Sequence, residues 1–255
     1  MKIRMLTIRA EQLRVLAAVP LQAFEDELVD HCRSFAARLF QMRGEECIRG
    51  MVRTGMTHAG NGGFTVRGPV RYWVEMMFAF GHEFHTDPQL QWLATPLAAL
   101  AEPQLERAKA VFLGMQQYQL QVEGDNKAFA LAALRRVLNA DWSVIGKGGE
   151  EQVDSVMAAM AGLYPEKAAC VGTDVLRALA VSADIAAAAR GITDAPGRAL
   201  IAGLMFGFGH GVLSDPMYPW VAATLAGPAE GGARWPRLAS KTRRYIEAML
   251  EHLRP

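Results

Sequence analysis

Apolar residues recur along the chain at spacings of three and four, which places side chains on one face of an α-helix. The longest such run lies between Leu21 and Met42 and contains Leu21, Phe24, Leu28, Cys32, Phe35 and Leu39. Acidic residues stand near its start and basic residues near its end, the order that the helix dipole favours. Because Pro20 suits the first turn of a helix, the pattern predicts one helix over 21–42 that begins beside Pro20.

The spacing of three and four continues through most of the chain. It predicts helices over 45–58 and 70–80, and a further helix that begins at Pro103. The glycine-rich run 60–63 and Gly81 mark helix ends, because glycine adopts backbone conformations that stop a helix. Alternating apolar and polar residues and β-branched clusters, which are typical of strands, are scarce. The sequence therefore predicts an all-α fold.

Two segments of the chain resemble each other and are identical at 11 of 22 positions. MFAFGHEFHTDPQLQWLATPLA begins at position 77 and MFGFGHGVLSDPMYPWVAATLA begins at position 205, which is 128 positions further along. Both contain a pattern of F-x-F-G-H, four residues, D-P, three residues and W. Apart from the histidines, its members are Phe78, Phe80, Gly81, Asp87, Pro88 and Trp92 in the first copy and Phe206, Phe208, Gly209, Asp215, Pro216 and Trp220 in the second.

The similarity keeps this offset toward the N-terminus, where Gly44 matches Gly172 and Gly63 matches Gly191. Internal similarity at a constant offset is typical of repeated structural units. We therefore expect two tandem, diverged helical repeats that pack as one unit.

The repeats define two predicted domains. Residues 1–145 hold an N-terminal helix and the first repeat, and residues 149–255 hold the second repeat. The junction 145–149 reads Ile-Gly-Lys-Gly-Gly, a composition typical of a flexible linker. The alanine run 186–189 in the second repeat predicts close helix packing.

The repeated pattern is predicted to form a corner between two helices. A phenylalanine-rich helix ends at Gly81, and Asp87 followed by proline begins the next helix as its N-cap, with that helix continuing to about position 100. Trp92 lies near the start of this second helix, where its ring folds back against Phe78 or Phe80. On this interpretation the repeated residues are structural.

The repeated histidines, His82 and His210, have two interpretations. Each imidazole caps the last carbonyl groups of its phenylalanine-rich helix, or the two histidines meet and bind a metal with the help of His85 and Asp87. His85 is matched by Leu213 in the second copy, which therefore lacks that ligand. We expect no metal site, with His82 and His210 kept as the candidate metal residues.

Other enzyme signatures are absent from the sequence. The glycine-rich runs 60–63 and 146–149 lack the spacing of a phosphate-binding loop, and the chain contains neither G-x-S-x-G nor H-E-x-x-H. The sequence therefore predicts no catalytic residue, no cofactor and a non-enzymatic protein.

Composition limits the classes of partner. The chain has 255 residues, with 27 Lys and Arg against 26 Asp and Glu, a formal net charge of +1. This balance argues against a dedicated nucleic-acid-binding protein, and no apolar run approaches the roughly 18 to 20 residues of a membrane-spanning helix.

Cysteine usage bears on the compartment. Three cysteines, Cys32, Cys47 and Cys170, argue against a disulfide framework and for a reducing compartment. The N-terminus lacks the unbroken apolar centre of a secretory signal. We expect a soluble cytoplasmic protein in which Cys32 and Cys47 are buried core thiols.

The opening residues LTIRAEQL, at 6–13, and the F-x-F-G, D-P and W positions of the first copy resemble an uncharacterised bacterial family. That family is associated with type VI secretion gene clusters, where secreted effectors, spike proteins and their adaptors are encoded together. The resemblance implies this setting and implies no reaction or catalytic residue.

Two functions of different classes follow. The first is a protein-interaction protein of a type VI secretion effector module, either an effector adaptor or chaperone or an immunity protein, whose partner is an effector or a secretion component. A concave surface of paired helical repeats suits such a role. The alternative is a metal-dependent hydrolase that uses the duplicated Gly-His motif.

Overall fold

The fold is all-α, as the sequence predicts. The structure, a computed structural model, describes residues 10–142, 150–227 and 234–252. Across these ranges the chain forms twelve α-helices and no strand. None of the helices in the described ranges is both long and apolar enough to cross a membrane. The predicted linker 145–149 and positions 6–9 of the opening motif lie outside the described residues.

The chain divides into two compact units, Met1–Phe78 and Ala79–Pro255. The first unit contains α1 (Ala10–Phe35), α2 (Ala37–Asn61) and most of α3 (Arg67–Phe80). Helices α2 and α3 approach closely at Gly55, where an added Cβ would lie 2.8 Å from Val74 and 2.9 Å from the Met77 sulfur. A larger residue at position 55 would therefore separate these helices.

The second unit contains nine helices in its described part. They are α4 (Ala94–Ala98), α5 (Gln104–Val122), α6 (Ala128–Asn139), α7 (Glu150–Leu163), α8 (Pro165–Val171), α9 (Thr173–Ala188), α10 (Ala195–Phe208), α11 (Pro219–Ala226) and α12 (Arg234–His252).

Helices α9 and α10 form the centre of this second unit. Helix α10 buries Leu200, Ile201 and Leu204, while α9 buries the small residues Ala183 and Ala187. Because alanine side chains are short, the two helices pack closely along this face, as the alanine-rich sequence predicts.

Helix bounds recur at the offset of 128 positions. Helix α3 spans 67–80 and α10 spans 195–208, each bound shifted by the same 128 positions. Matching glycines precede both helices: Gly44, with φ 77° and ψ 162°, kinks α2, and Gly172, with φ 83° and ψ 162°, separates α8 from α9. The local backbone thus repeats with the sequence, while the predicted domains and the packing of whole repeats as one unit stay predictions.

The prediction of a single helix over 21–42 is wrong. The chain forms α1 and α2 there, separated at Ala36, whose φ is −125° and ψ is 45°. Pro20 lies inside α1, which begins ten residues earlier. Alanine carries no signal of a helix end, and the spacing of three and four continues across a one-residue break, so the pattern could not reveal it.

The cysteines of the structure are all free. Cys32 is buried, as predicted, and its burial raises the pKa of the thiol to about 12, with Glu75 adding to the shift. Cys47 is only half-buried and Cys170 is exposed, so the prediction of a fully buried Cys47 is wrong.

Candidate functional site

The two copies of the repeated pattern meet within the second unit. Oδ2 of Asp215 accepts the backbone N–H of His82 at 2.9 Å, and Oδ2 of Asp87 accepts the backbone N–H of His210 at 2.9 Å. Each aspartate therefore holds the loop of the other copy. We call residues 81–88 and 209–216 the crossed loops.

A local turn presents each aspartate for this role. Oδ1 of Asp87 accepts the backbone N–H of Gln89 at 2.9 Å, and its carbonyl oxygen accepts the N–H of Leu90 at 3.0 Å. Pro88 occupies the second position of this turn, where its fixed φ suits the geometry. The second copy repeats the two bonds with Asp215, Met217 and Tyr218.

The predicted helix N-caps at Asp87 and Asp215 are wrong. Helix α4 begins at Ala94, after a 3-10 turn over Gln91–Leu93, and α11 begins at Pro219. Each carboxylate accepts the backbone N–H of its own turn with Oδ1 and the backbone N–H of the opposite copy with Oδ2. Sequence spacing alone does not separate this turn from an N-cap, because both begin with Asp-Pro.

Glycine permits the crossed loops to approach. Gly81 and Gly209 end their helices with φ of 96° and 97°, as a glycine helix end predicts. A Cβ on Gly209 would lie 2.5 Å from the carbonyl oxygen of Phe80, and one on Gly81 would lie 3.2 Å from that of Phe208. The positive φ and the close backbone approach together require glycine here.

The imidazoles face carboxylates and not the helix ends, so the predicted capping role of the histidines is wrong. Nδ1 of His82 lies 3.3 Å from Oδ2 of Asp215, and Nδ1 of His210 lies 3.4 Å from Oδ2 of Asp87. These separations exceed those of the backbone bonds to the same oxygens, so each ring contact is an ion pair when the imidazole is protonated.

One further carboxylate, that of Glu83, lies between the two rings. Its Oε1 is 3.5 Å from Nε2 of His82 and its Oε2 is 3.6 Å from Nε2 of His210. The residue matching Glu83 in the second copy is Gly211, where a Cβ would lie 2.8 Å from Oε2 of Glu83. The crossed loops thus leave room for one carboxylate, which serves both histidines.

The carboxylates change the protonation of their partners. Burial of the His82 ring lowers its pKa, but Asp215 and Glu83 outweigh this effect and the pKa is raised above its ordinary value. Burial raises the pKa of Asp87, but the ring and backbone N–H of His210 and the N–H of Gln89 outweigh it, so this pKa is lowered.

A buried lysine lies behind this cluster. Nζ of Lys167, on α8, donates to the carbonyl oxygen of Phe206 at 2.5 Å and lies 5.2 Å from the centre of that ring. Burial lowers the pKa of Lys167 to about 8, although the negative charge of Asp87 opposes the shift. Lys167 therefore supplies a positive charge beside the crossed loops.

Sequence reasoning missed Glu83, Gln89 and Lys167. Nε2 of Gln89 donates to Oδ2 of Asp87 at 3.2 Å and to the carbonyl oxygen of Met205 at 3.0 Å. Aligning the two copies pairs Glu83 with Gly211, a charged residue opposite a glycine, and this was the one available signal. A single lysine or glutamine in a helical segment carries no such signal.

Aromatic residues of the pattern pack beside the loops. The ring of Trp92 contacts those of Phe80 and Tyr118, each with centroids 6.1 Å apart, which confirms the predicted contact with Phe80.

In the second copy the ring centroid of Trp220 lies 5.7 Å from that of Tyr245, and that of Phe208 lies 5.2 Å from that of Tyr218. Phe78, in the first unit, meets the edge of Phe35. The exposed Pro88 and Pro216 complete the pattern.

Replacing Trp92 with alanine is expected to destabilise the protein by about 3 kcal/mol, the lower end for a large aromatic residue because the indole is half-buried. The ring covers Gly114, where a Cβ would lie 2.5 Å from it. Urea unfolding midpoints measure the change. Gln91→Ala, at an exposed neighbouring position, should change stability by less than about 0.5 kcal/mol; equal effects of the two variants would contradict the packing role.

Both histidines lie beside Glu83, yet the described ranges contain no group of three or more His, Cys, Asp or Glu side chains placed to hold a metal ion. His85, the third candidate ligand, instead packs its ring 5.8 Å from that of Phe84.

A second feature of this unit is an apolar stripe on α5. Leu105, Leu113 and Leu120 are 63%, 54% and 66% exposed, and Leu100, just before the helix, is 68% exposed. The helical positions are seven and eight residues apart, so they share one face. We call Leu105, Leu113 and Leu120 the α5 stripe.

Comparison with known proteins gives no match: no family model, no curated protein and no solved structure resembles this chain significantly.

Proposed function

We propose that the protein acts by binding another protein, as an effector adaptor or chaperone or as an immunity protein of a bacterial type VI secretion effector module. The observation that carries the proposal is the α5 stripe. The resemblance of LTIRAEQL and the F-G, D-P and W positions to a family of that setting supports the choice of partner.

The stripe has the properties of a binding surface. Fully burying a leucine contributes about 1.5–3 kcal/mol, so three such residues on one face supply substantial affinity when a partner covers them. They lie on a helix of 19 residues that is packed on its opposite face through Val111, Tyr118 and Val122. Because the backbone is already ordered, little conformational entropy is lost on binding.

The crossed loops suit a scaffold in this proposal. The carboxylate oxygens of both aspartates accept backbone N–H groups and lie close to the histidine rings of the opposite copy. Such fully engaged carboxylates stabilise a fold, and the same unit carries the α5 stripe on its surface.

The test measures binding by calorimetry to the purified products of the neighbouring genes, among which the proposal expects an effector or a spike protein. We expect Leu113→Glu and Leu120→Glu, separately, to weaken binding at least about 100-fold, because a charge would be buried at the interface. Ile185→Glu, which makes the same kind of replacement at a 65% exposed position on α9, should remain within about threefold of wild type. Circular dichroism checks that each variant is folded.

The results separate the two forms of the proposal. An adaptor binds the effector and the spike together and leaves a toxic effector active, whereas an immunity protein binds the toxin alone and protects cells that produce it. If the protein bound none of the neighbouring gene products, the proposed function would be contradicted. If both leucine variants bound as tightly as wild type, the proposed surface would be contradicted.

A further inference from the structure

Five titratable side chains converge where the crossed loops meet: Asp87, Asp215, Glu83, His82 and His210. We infer that they form a proton-controlled clamp, in which protonated imidazoles hold the two loops together and loss of their protons loosens them. This inference is independent of the proposed binding function.

The geometry of each ring carries the inference. Nδ1 of His82 faces Asp215 and its Nε2 faces Glu83; Nδ1 of His210 faces Asp87 and its Nε2 faces the same Glu83. A protonated imidazole has N–H groups on both nitrogens, so it directs a positive charge toward both carboxylates, whereas a neutral imidazole has one N–H and turns a lone pair toward the other carboxylate. The site as built therefore fits two imidazolium groups.

The residues that surround the clamp add further charges to it. Asp87 and Glu123, at the end of α5, both raise the pKa of Lys167, on α8, against the effect of its burial. Burial raises the pKa of the Tyr118 phenol, on α5, so this ring stays neutral. The Thr86 hydroxyl lies 3.3 Å from Nε2 of His210 and carries no charge.

With both imidazoles protonated, their two charges and that of Lys167 offset the three carboxylates of the clamp. With both imidazoles neutral, Lys167 is the one positive charge among these groups, and above its pKa of about 8 that charge is lost as well. Repulsion among those carboxylates then opposes closure of the loops.

The direction of the pH dependence follows. The pKa of His82 is raised above its ordinary 6.5, so its contribution to stability is fully present below 6.5 and is lost as the pH rises through the raised value. The pKa of Asp87 is lowered from its ordinary 3.8, so its contribution is present above 3.8 and is lost as the pH falls through the lowered value. The clamp is therefore strongest between pH 3.8 and pH 6.5.

Amide hydrogen exchange of the full chain tests the clamp, because the N–H groups of His82 and His210 are themselves the donors to Asp215 and Asp87. Protection factors, which remove the intrinsic acceleration of exchange by base, are measured by NMR between about pH 5.5 and pH 8.5. We expect those of both amides to fall at least about tenfold over this range, while that of Leu204, in the core of α10, changes less than about threefold.

Glu83→Gln removes the carboxylate shared by both rings. We expect the variant to lower the pKa of His82, followed by its ring resonance, and to reduce the fall in protection of both amides to below about threefold. Glu102→Gln, at an exposed position outside the crossed loops, should behave as wild type.

Constant protection of the two histidine amides in the wild-type protein would overturn the inference, whatever the variants do. So would a Glu83→Gln protein whose amides keep the wild-type pH dependence. Because Glu83 is 41% exposed, the substitution leaves the packed core unchanged and the variant is expected to fold.

Discussion

Asp215→Ala is expected to destabilise the protein by about 3–5 kcal/mol, because it removes one partner of a buried charged network and leaves the others unpaired. The Asp215 side chain is 1% exposed and holds the backbone N–H groups of His82 and Met217. This effect exceeds the roughly 1 kcal/mol of a lost helix N-cap. Urea unfolding near pH 6 measures it.

Asp154→Ala is the matched control for this substitution. Asp154 pairs with Arg177 at 2.8 Å on the surface, with 63% of its side chain exposed. Exposed ion pairs contribute about 0–1 kcal/mol because water and salt screen them. An Asp215→Ala protein no less stable than Asp154→Ala would show that the crossed loops contribute little to the fold.

Gly209→Ala should cost about 3 kcal/mol or more. An L-residue at φ 97° is strained, and the added Cβ would lie 2.5 Å from the carbonyl oxygen of Phe80. Because that atom belongs to the backbone, relief requires the crossed loops to separate. Thermal and urea unfolding of the variant measure the loss.

Gly207→Ala, two residues earlier in α10, provides the comparison. No atom lies within 4 Å of a Cβ at this exposed position. Alanine there is expected to stabilise the helix by about 0.5–1 kcal/mol. If the two alanine variants unfolded at the same urea concentration, close approach of the loops at Gly209 would be refuted.

Local features of the fold were predictable from the sequence. The spacing of apolar residues predicts the helical class, and glycines mark the ends of α3 and α10 at Gly81 and Gly209. The offset of 128 positions between the copies predicts matching helix bounds. These features depend on residues within a few positions of one another, which the order of the chain displays directly. The break at Ala36 could not be predicted, because alanine is the strongest helix former and gives no sign of a helix end.

The candidate site depended on the tertiary structure. Asp-Pro begins a turn or a helix equally well. Only the approach of the second copy gives Oδ2 of Asp87 a backbone donor, the N–H of His210, 123 residues away along the chain. The shared role of Glu83 likewise requires both rings to converge. The sequence by itself determined which residues repeat and which helices they end. The tertiary structure decided which charged groups face one another, because hydrogen bonds and ion pairs between distant residues depend on distances in space that the order of the chain does not contain.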